Sequence, residues 1–220
     1  MSSSLRSRAV IDRQHCATNF TVMPPIDPPV PSACTGIVLA AGAGTRYGKP
    51  KALAENGAWL RSAITALRDG GCDPVIVLLG ATGPDPAGLG LPPDTAWRWV
   101  DDWAIGLSAT VRAGLRAAAE TGTRYVAFLP VDIPDIGADV VARVLAAARA
   151  SESELARSVF SDTPGHPVVI ENKHWDAISA ASVGDIGAGS YLGGRQDMVC
   201  VTCDDLATGT DRDFPEVGAR

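Results

Sequence analysis

Short apolar runs alternate with helix-forming segments along most of this chain, and this alternation narrows the available folds more than any other feature. Three runs have the length and unbroken hydrophobicity of strands buried on both faces: residues 36–41, 74–80 and 125–129. Three segments between or after them have helical patterning: residues 58–69, 108–121 and 136–150. Strands that alternate with helices of this length predict a parallel sheet between two helical layers, a three-layer α/β sandwich.

The remaining elements are shorter and less regular. A further strand is predicted at residues 96–100. The last third of the chain predicts strands near 155–160, 167–170 and 198–203 and a helix near 173–181. The expected fold class is therefore α/β with a mostly parallel sheet.

The charge balance excludes one broad class of function. The 220 residues include 25 acidic and 19 basic side chains, a formal net charge of −6. A protein that coats nucleic acid needs a basic face, so we expect no nucleic-acid partner. No apolar run approaches the roughly 18 to 20 residues of a membrane-spanning helix, so we expect no membrane partner either.

The first 33 residues differ in composition from the rest. Residues 23–31 form a proline-rich tract that suits neither a helix nor a central strand, and no continuous apolar stretch indicates a secretory signal. We interpret residues 1–33 as a disordered leader and residues 34–220 as one domain, with Met23 a candidate for the true start. The five cysteines are an odd and dispersed set that does not indicate a disulfide framework, so we expect a cytoplasmic protein.

The segment most informative about function follows the first predicted strand. Residues 39–51 read LAAGAGTRYGKPK: an apolar strand end, then glycines, then the cations Arg46, Lys49 and Lys51. Glycines let backbone N–H groups face an anion with no Cβ in the way, and Arg and Lys side chains bind phosphate. The segment therefore predicts a phosphate-binding loop.

Two familiar phosphate motifs do not fit this loop. A Walker A motif needs Ser or Thr after Gly-Lys, where this chain has Pro50. A dinucleotide fingerprint needs glycines at positions 1, 3 and 6, whereas Gly42, Gly44 and Gly48 occupy positions 1, 3 and 7. The segment instead resembles the signature L-A-A-G-x-x-x-R-x-G-x-x-K of the sugar-nucleotide and molybdenum cofactor nucleotidyltransferases, the MobA-like NTP transferase family.

Three further segments resemble the cytidylyltransferase branch of that family: WAIGLSATVRAGL at 103–115, DTPGHPV at 162–168 and GDIGA at 184–188. The resemblance implies a fold of the nucleotide-diphospho-sugar transferase type. It also implies transfer of CMP from CTP to a phosphorylated acceptor, molybdopterin or molybdenum cofactor, with release of pyrophosphate. Mg²⁺ is the implied cofactor, and a molybdoenzyme is the implied client.

The resemblance also assigns roles to individual residues. Nucleotide binding falls to Leu39, Ala40, Ala41, Gly42, Gly44, Arg46 and Lys51. Catalysis falls to Lys51, Arg46 and Asp132. Acceptor binding falls to Trp103, Thr110, His166 and Asp185.

Asp132 is the first expected Mg²⁺ ligand. It directly follows the strand at 125–129, at the carboxyl edge where open α/β sheets bind ligands, and Mg²⁺ prefers carboxylates and substrate oxygens. The resemblance gives it the metal role, although Val131 stands where the family has glycine; a turn or a helix cap is the other interpretation. Asp135 is the better candidate to cap the helix near 136.

The second expected Mg²⁺ ligand is Asp213. Residues 210–216 resemble an acidic C-terminal motif of the family, and alternate residues of an extended segment face the same side, so Asp211 shares this role as an alternative. Either carboxylate could instead hold the end of the chain in place.

Other functions stay open at this point. A nucleotidyltransferase could use another acceptor, such as a sugar phosphate or a deazaflavin precursor. An NAD(P)H-dependent oxidoreductase of the nicotine-blue reductase kind is opposed by the glycine spacing and by the missing acidic ribose anchor. A chaperone that inserts cofactor into a partner is the non-enzymatic alternative. Within the family, L-A-A-G is similar to the cytidylyl side and L-A-G-G to the guanylyl side, so Ala41 holds the discriminating position.

Overall fold

The computed structural model describes residues 33–214, which contain one seven-stranded sheet. Its strands are β1 (Cys34–Ala40), β2 (Cys72–Leu79), β3 (Ala96–Trp99), β4 (Tyr125–Pro130), β5 (Leu155–Phe160), β6 (Thr163–Glu171) and β7 (Val199–Thr202). The helices are α1 (Ala58–Asp69), α2 (Leu107–Thr121), α3 (Ala138–Ala150), α4 (Trp175–Ala181) and α5 (Gly189–Leu192). Four short 3-10 segments lie between them, at Lys51–Gly57, Trp103–Ile105, Asn172–His174 and Gly184–Ile186.

The sheet lies between two layers of helices. Successive residues of a strand point to opposite faces, so Val38 of β1 joins the core beneath α1 and α3 while Ile37 joins the core beneath α2 and α4. The first core includes Leu67 of α1, and the second includes Leu115 of α2. The predicted three-layer arrangement is confirmed.

The strands follow the order β3-β2-β1-β4-β6-β5-β7. Neighbours β3, β2, β1 and β4 are parallel, as are β5 and β7, whereas β6 is antiparallel to both β4 and β5. Within this sheet only β6 runs in the opposite direction. The prediction of a mostly parallel sheet is confirmed.

A tight hairpin explains why β6 is longer than predicted. Strand β6 begins at Thr163, four residues before the predicted start at 167, because only Ser161 and Asp162 separate it from β5. Both residues have positive φ, at 46° and 60°, as two-residue turns between antiparallel strands often require. The residues before the predicted strand are therefore part of an antiparallel pair with β5.

One predicted helix cap is wrong. Helix α3 begins at Ala138 with Gly137 before it, and no side chain caps its N-terminus. The Asp135 carboxylate instead accepts hydrogen bonds from the backbone N–H groups of Thr208 and Gly209 and from the Thr208 hydroxyl. Asp135 thus anchors the C-terminal segment rather than a helix, because that segment passes closer to its carboxylate than the helix start does.

The structure does not test the predictions for the start of the chain. The leader at 1–33 and the candidate start at Met23 lie outside the described residues, apart from Ala33, whose carbonyl oxygen accepts bonds from Arg124 and Tyr125. Within residues 33–214, no helix is long and apolar enough to cross a membrane. The parallel strands β1, β2 and β4 end at a common edge, where the candidate site lies.

Candidate active site

The glycine-rich loop after β1 has a tightly turned backbone. Gly44 has a φ of +61°, and a Cβ there would collide with the carbonyl oxygen of Lys49, so only glycine fits this position. Gly48 donates its N–H to the Gly44 carbonyl oxygen at 2.8 Å, which closes the turn. Tyr47 is buried and packs on Trp59 of α1, with ring centroids 5.2 Å apart. The loop is therefore held to the domain at its far end.

The other side of this loop is open. No heavy atom outside its immediate neighbours lies within 4 Å of where a Cβ at Gly42 would stand. Packing within the protein therefore does not require glycine at this position. An open glycine beside a strand end leaves the backbone accessible to a ligand.

Lys51 joins the loop to two carboxylates from distant parts of the chain. Its Nζ lies 2.7 Å from Asp132 Oδ2 and 2.8 Å from Asp213 Oδ1, and the side chain is 13% exposed. Arg46 Nη1 lies 2.6 Å from Asp213 Oδ2, but its side chain is 68% exposed. The two predicted cations and the two predicted metal ligands thus form one ion-pair network.

Burial and hydrogen bonding act in opposite directions on these charges. Desolvation would lower the pKa of Lys51, but its hydrogen bonds to Asp132 and Asp213 outweigh that effect and raise the pKa above its usual value. The hydrogen bond from Lys51 lowers the pKa of Asp213, and the charge of Arg46 adds to the effect. Lys51 and Asp213 are therefore both charged at neutral pH.

Asp132 is positioned by the end of β4. The preceding Val131 is buried and donates its N–H to the Leu39 carbonyl oxygen at 3.1 Å, which continues the β1–β4 pairing beyond the strand. Val131 has no positive φ, so the absence of the family's glycine does not displace Asp132.

The C-terminal segment delivers Asp213 to the site. Arg212 donates its backbone N–H to the Asp132 carbonyl oxygen at 2.9 Å, and Asp135 anchors residues 208–209. Asp211 also lines the cavity, but among the described residues Lys51 and Arg46 form their ion pairs with Asp213. Of the two alternatives, Asp213 is the one in contact with the cations.

The residues expected to bind an acceptor lie on the opposite walls of the same cavity. Trp103 begins a 3-10 segment and Thr110 is in the first turns of α2. Asp185 packs against Gly106, just before α2, and His166 lies on β6. Burial lowers the pKa of the half-buried His166 to about 4, with a smaller contribution from the charge of Arg157. The imidazole is therefore neutral at neutral pH.

All the predicted site residues line one cavity of about 860 Å³. This volume is in the range of small-molecule sites. The cavity brings together residues from the loop after β1, the ends of β4 and β6, the start of α2 and the C-terminal segment. Sequence reasoning did not identify Thr163, Pro164 and Gly209 as lining residues. Thr163 and Pro164 belong to the recognised segment 162–168, from which only His166 was assigned to the site, and the anchor at Asp135 that positions Gly209 carried no recognised signal.

The match to known proteins follows this geometry. Residues 36–199 match the family model described as a MobA-like NTP transferase domain. The chain belongs to the MobA-like NTP transferase family. This family consists of nucleotidyltransferases, so the chain is assigned to that class of enzyme.

Relatives of this chain bear different names. A "Nicotine blue oxidoreductase" of Paenarthrobacter nicotinovorans is 34% identical over 194 residues, which cover 83% of this chain and 93% of that protein. A "Probable molybdenum cofactor guanylyltransferase" of Rhodopirellula baltica is 30% identical over 146 residues, 65% of this chain and 67% of that protein.

A solved structure confirms the type of fold. The homologue of Mycobacterium tuberculosis Rv0371c from Mycobacterium sp. strain JC1 has a TM-score of 0.69 at 25% identity. The match covers 83% of this chain and 91% of that one. The expected nucleotide-diphospho-sugar transferase type of fold is therefore confirmed for this member of the MobA-like family.

Proposed function

We propose that this enzyme transfers CMP from CTP to a phosphorylated acceptor, molybdopterin, and releases pyrophosphate. The observation that carries this proposal is the contact of Lys51 with both Asp132 and Asp213 inside the cavity. Because these contacts join the loop after β1 to the carboxylates on the opposite wall, one bound triphosphate can reach the cations and the carboxylates at once.

The chemistry demands mainly positioning and charge neutralisation. An oxygen of the acceptor phosphate attacks the α-phosphorus and forms a new P–O bond, while the bond from the α-phosphorus to the bridging oxygen breaks and its electron pair leaves with pyrophosphate. Lys51 and Arg46 are placed to neutralise the negative charge on the triphosphate. The open backbone at Gly42 leaves room for phosphate oxygens beside the loop.

The residues present fit Mg²⁺. Mg²⁺ usually takes one or two carboxylates and completes its shell with phosphate oxygens and water. Asp132 and Asp213 offer such a pair, with side chains 22% and 21% exposed, and would hold the ion. Among residues 33–214, no preformed group of three or more His, Cys, Asp or Glu side chains exists. The bound ion would neutralise charge on the reacting phosphates.

Ala41 supports CTP as the nucleotide. It lines the cavity and is almost fully buried. The guanylyl side of the family resembles L-A-G-G, which has glycine at this position. The relative from Rhodopirellula baltica bears a guanylyltransferase name, so GTP is the competing substrate to test. An Ala41→Gly variant that gains GTP use at the expense of CTP would support the assignment of this position.

The decisive experiment measures ligand binding and turnover together. Thermal-shift titrations with CTP, GTP, UTP, ATP and NADPH, each with and without Mg²⁺, precede a pyrophosphate-release assay with molybdopterin. A ligand at one hundred times its dissociation constant stabilises the fold by about 2.7 kcal/mol, which gives a readable shift. We expect the largest shift with CTP and Mg²⁺, and pyrophosphate release only when acceptor is present. No shift with any triphosphate would contradict the proposal.

An oxidoreductase is the second candidate, because the relative named "Nicotine blue oxidoreductase" matches over most of its length. The same panel separates the two functions: NADPH should stabilise an oxidoreductase without Mg²⁺, and no triphosphate should then release pyrophosphate. The cytoplasmic location and the molybdoenzyme client stay predictions of the family resemblance.

A further inference from the structure

The lining of the cavity divides into two halves that differ in charge. The nucleotide half is the side of the loop after β1, with the cations Arg46 and Lys51. The acceptor half is made up of Trp103, Thr110, His166 and Asp185. It has no cation among the described lining residues, because the His166 imidazole is neutral at neutral pH. The counter-charges for an acceptor phosphate therefore lie in the nucleotide half, and the rest of the acceptor must occupy the other half.

Asp185 is brought into the acceptor half by a close approach of two backbones. It lies in the 3-10 segment Gly184–Ile186, which contacts the start of α2. Gly106, directly before α2, has a φ of +122°, and a Cβ there would stand 2.4 Å from Asp185 Oδ1 and 2.8 Å from the Gly184 carbonyl oxygen. The approach that places the Asp185 carboxylate in the cavity therefore requires glycine at position 106.

The carboxylate of Asp185 has no protein partner. Within residues 33–214 it forms no hydrogen bond and no ion pair, whereas Asp132 and Asp213 both contact Lys51. An ionised carboxylate only accepts hydrogen bonds, so a ligand that displaces water from it must bring donors. Phosphate oxygens would be repelled by this charge, whereas N–H groups would bind to it.

Two other polar groups of the acceptor half also lack a partner. Thr110 is 5% exposed, and its hydroxyl forms no hydrogen bond within the described part of the chain. His166 likewise forms no hydrogen bond with any residue of 33–214, and a neutral imidazole offers one donor and one acceptor nitrogen. Trp103 adds aromatic surface to the same lining. These groups suit a flat polar ring with N–H donors on its edge.

We infer that Asp185 selects the acceptor by its ring: the Asp185 carboxylate accepts hydrogen bonds from an amino group and the adjacent ring N–H of a nitrogen heterocycle, while the acceptor phosphate lies in the nucleotide half. In molybdopterin, the aminopyrimidinone edge of the pterin ring has such a pair of donors. The inference rests on the proposed function in one respect, that the acceptor carries a phosphate at one end and a ring at the other. Asp185 acts in binding and takes no part in bond breaking.

Pterin and lumazine are the probes for this site, because they share one bicyclic ring and neither carries a phosphate. Lumazine has a carbonyl oxygen where pterin has its amino group, so it would present an acceptor to Asp185. The full chain is titrated calorimetrically in EDTA, which removes any metal ion that could bridge to the carboxylate. Pterin should bind about 10- to 100-fold more tightly than lumazine, the usual effect of a hydrogen bond to a charged group.

A matched pair of variants tests the carboxylate itself. Asp185→Asn should bring the two affinities within about 3-fold of each other, because an amide donates as well as accepts. Asp176→Asn removes the same charge from the exposed start of α4 and should keep the wild-type preference. With molybdopterin as acceptor, Asp185→Asn should raise the acceptor KM about 10-fold and leave the CTP KM unchanged.

The comparison of the two probes on wild type stands without any variant. Equal affinity of wild type for pterin and lumazine, or no measurable binding of pterin, would overturn the inference. An unchanged preference in Asp185→Asn would also overturn it, and a lower melting temperature of that variant would then mean a structural role. Failure of wild type to release pyrophosphate from any triphosphate would instead refute the proposed function. The pterin and lumazine titrations need no turnover, so they would still decide the role of Asp185.

Discussion

The two halves of the cavity handle positive charge in opposite ways. In the nucleotide half, Lys51 and Arg46 are each within 3 Å of a carboxylate before any ligand binds. In the acceptor half, the four predicted residues Trp103, Thr110, His166 and Asp185 include no cation, because His166 is neutral at neutral pH. A bound triphosphate would therefore take over cations that already have partners, whereas among the described lining residues the acceptor half offers no cation.

This difference bears on the proposal that one cavity binds two anionic substrates. Paired charges hold the loop and the C-terminal segment together, because the part-buried Lys51 has counter-charges that offset the cost of its desolvation. The predictions below test the two halves in order of expected effect.

Asp132→Asn should have the largest effect, because it removes a charge that Mg²⁺ and Lys51 both need while keeping a similar shape. We expect pyrophosphate release to fall on the order of 10³-fold or more, since metal stabilisation of the transition state is worth several kcal/mol. The melting temperature should stay close to that of wild type. Asp69→Asn, at the exposed end of α1, is the matched control, and near-normal turnover of Asp132→Asn would refute the metal role.

Lys51→Ala should come next, with a loss of roughly 10²- to 10³-fold in rate, typical of removing a group that stabilises transition-state charge. It also leaves Asp132 and Asp213 without their shared partner, so the variant should bind CTP more weakly in the absence of Mg²⁺. Lys49→Ala removes an exposed lysine of the same loop and should change the rate little. Equal effects of the two substitutions would mean that net charge, rather than position, governs binding.

Asp213→Asn should lower the rate less, by about 10-fold, which is the usual effect of losing one charge-assisted contact. The effect is smaller because Asp132 remains as the other carboxylate. The Mg²⁺ concentration for half-maximal rate should rise. Asp211→Asn tests the alternative on the same segment, and a larger effect there would transfer the role to Asp211.

The smallest expected effect is on the free energy of unfolding. The pH range in which this free energy declines differs between the two halves of the cavity. The pKa of His166 is lowered to about 4, so as the pH falls below about 6.5 the unfolded chain takes up a proton that the folded chain does not. Folding stability should therefore decline between about pH 6.5 and 4, by at most about 1.4 kcal/mol per pH unit. The pKa of Asp213 is lowered as well, so the stability from its ion pairs is lost only below about pH 4.

Urea denaturation at pH 7, 5.5 and 4.5 measures the free energy of unfolding across this pH range. His166→Asn should flatten the decline in that window, and Asp213→Asn should not. An unchanged slope in His166→Asn would show that His166 is protonated in the folded protein as readily as in the unfolded one.

Most of the sheet could be predicted from local pattern, and the exceptions have physical causes. Strands β1, β2 and β4 are recognisable because both their faces are buried, so their hydrophobicity is continuous. The start of β6 could not be predicted because the turn at Ser161 and Asp162 lacks the glycine or asparagine that usually marks positive φ. Asp135 was assigned from the helix that follows it, but its partners lie more than 70 residues away.

The sequence by itself determined the α/β class, and it predicted a phosphate-binding loop and the acidic residues opposite it, because each of these patterns depends on neighbours within about a dozen positions. Only the tertiary structure decided that Asp213, rather than Asp211, meets Lys51, and that Asp135 anchors residues 208–209 rather than a helix. These outcomes depend on groups more than 100 positions apart in the first case and more than 70 positions apart in the second. Contacts of that range are set by how the layers pack, and no local pattern encodes them.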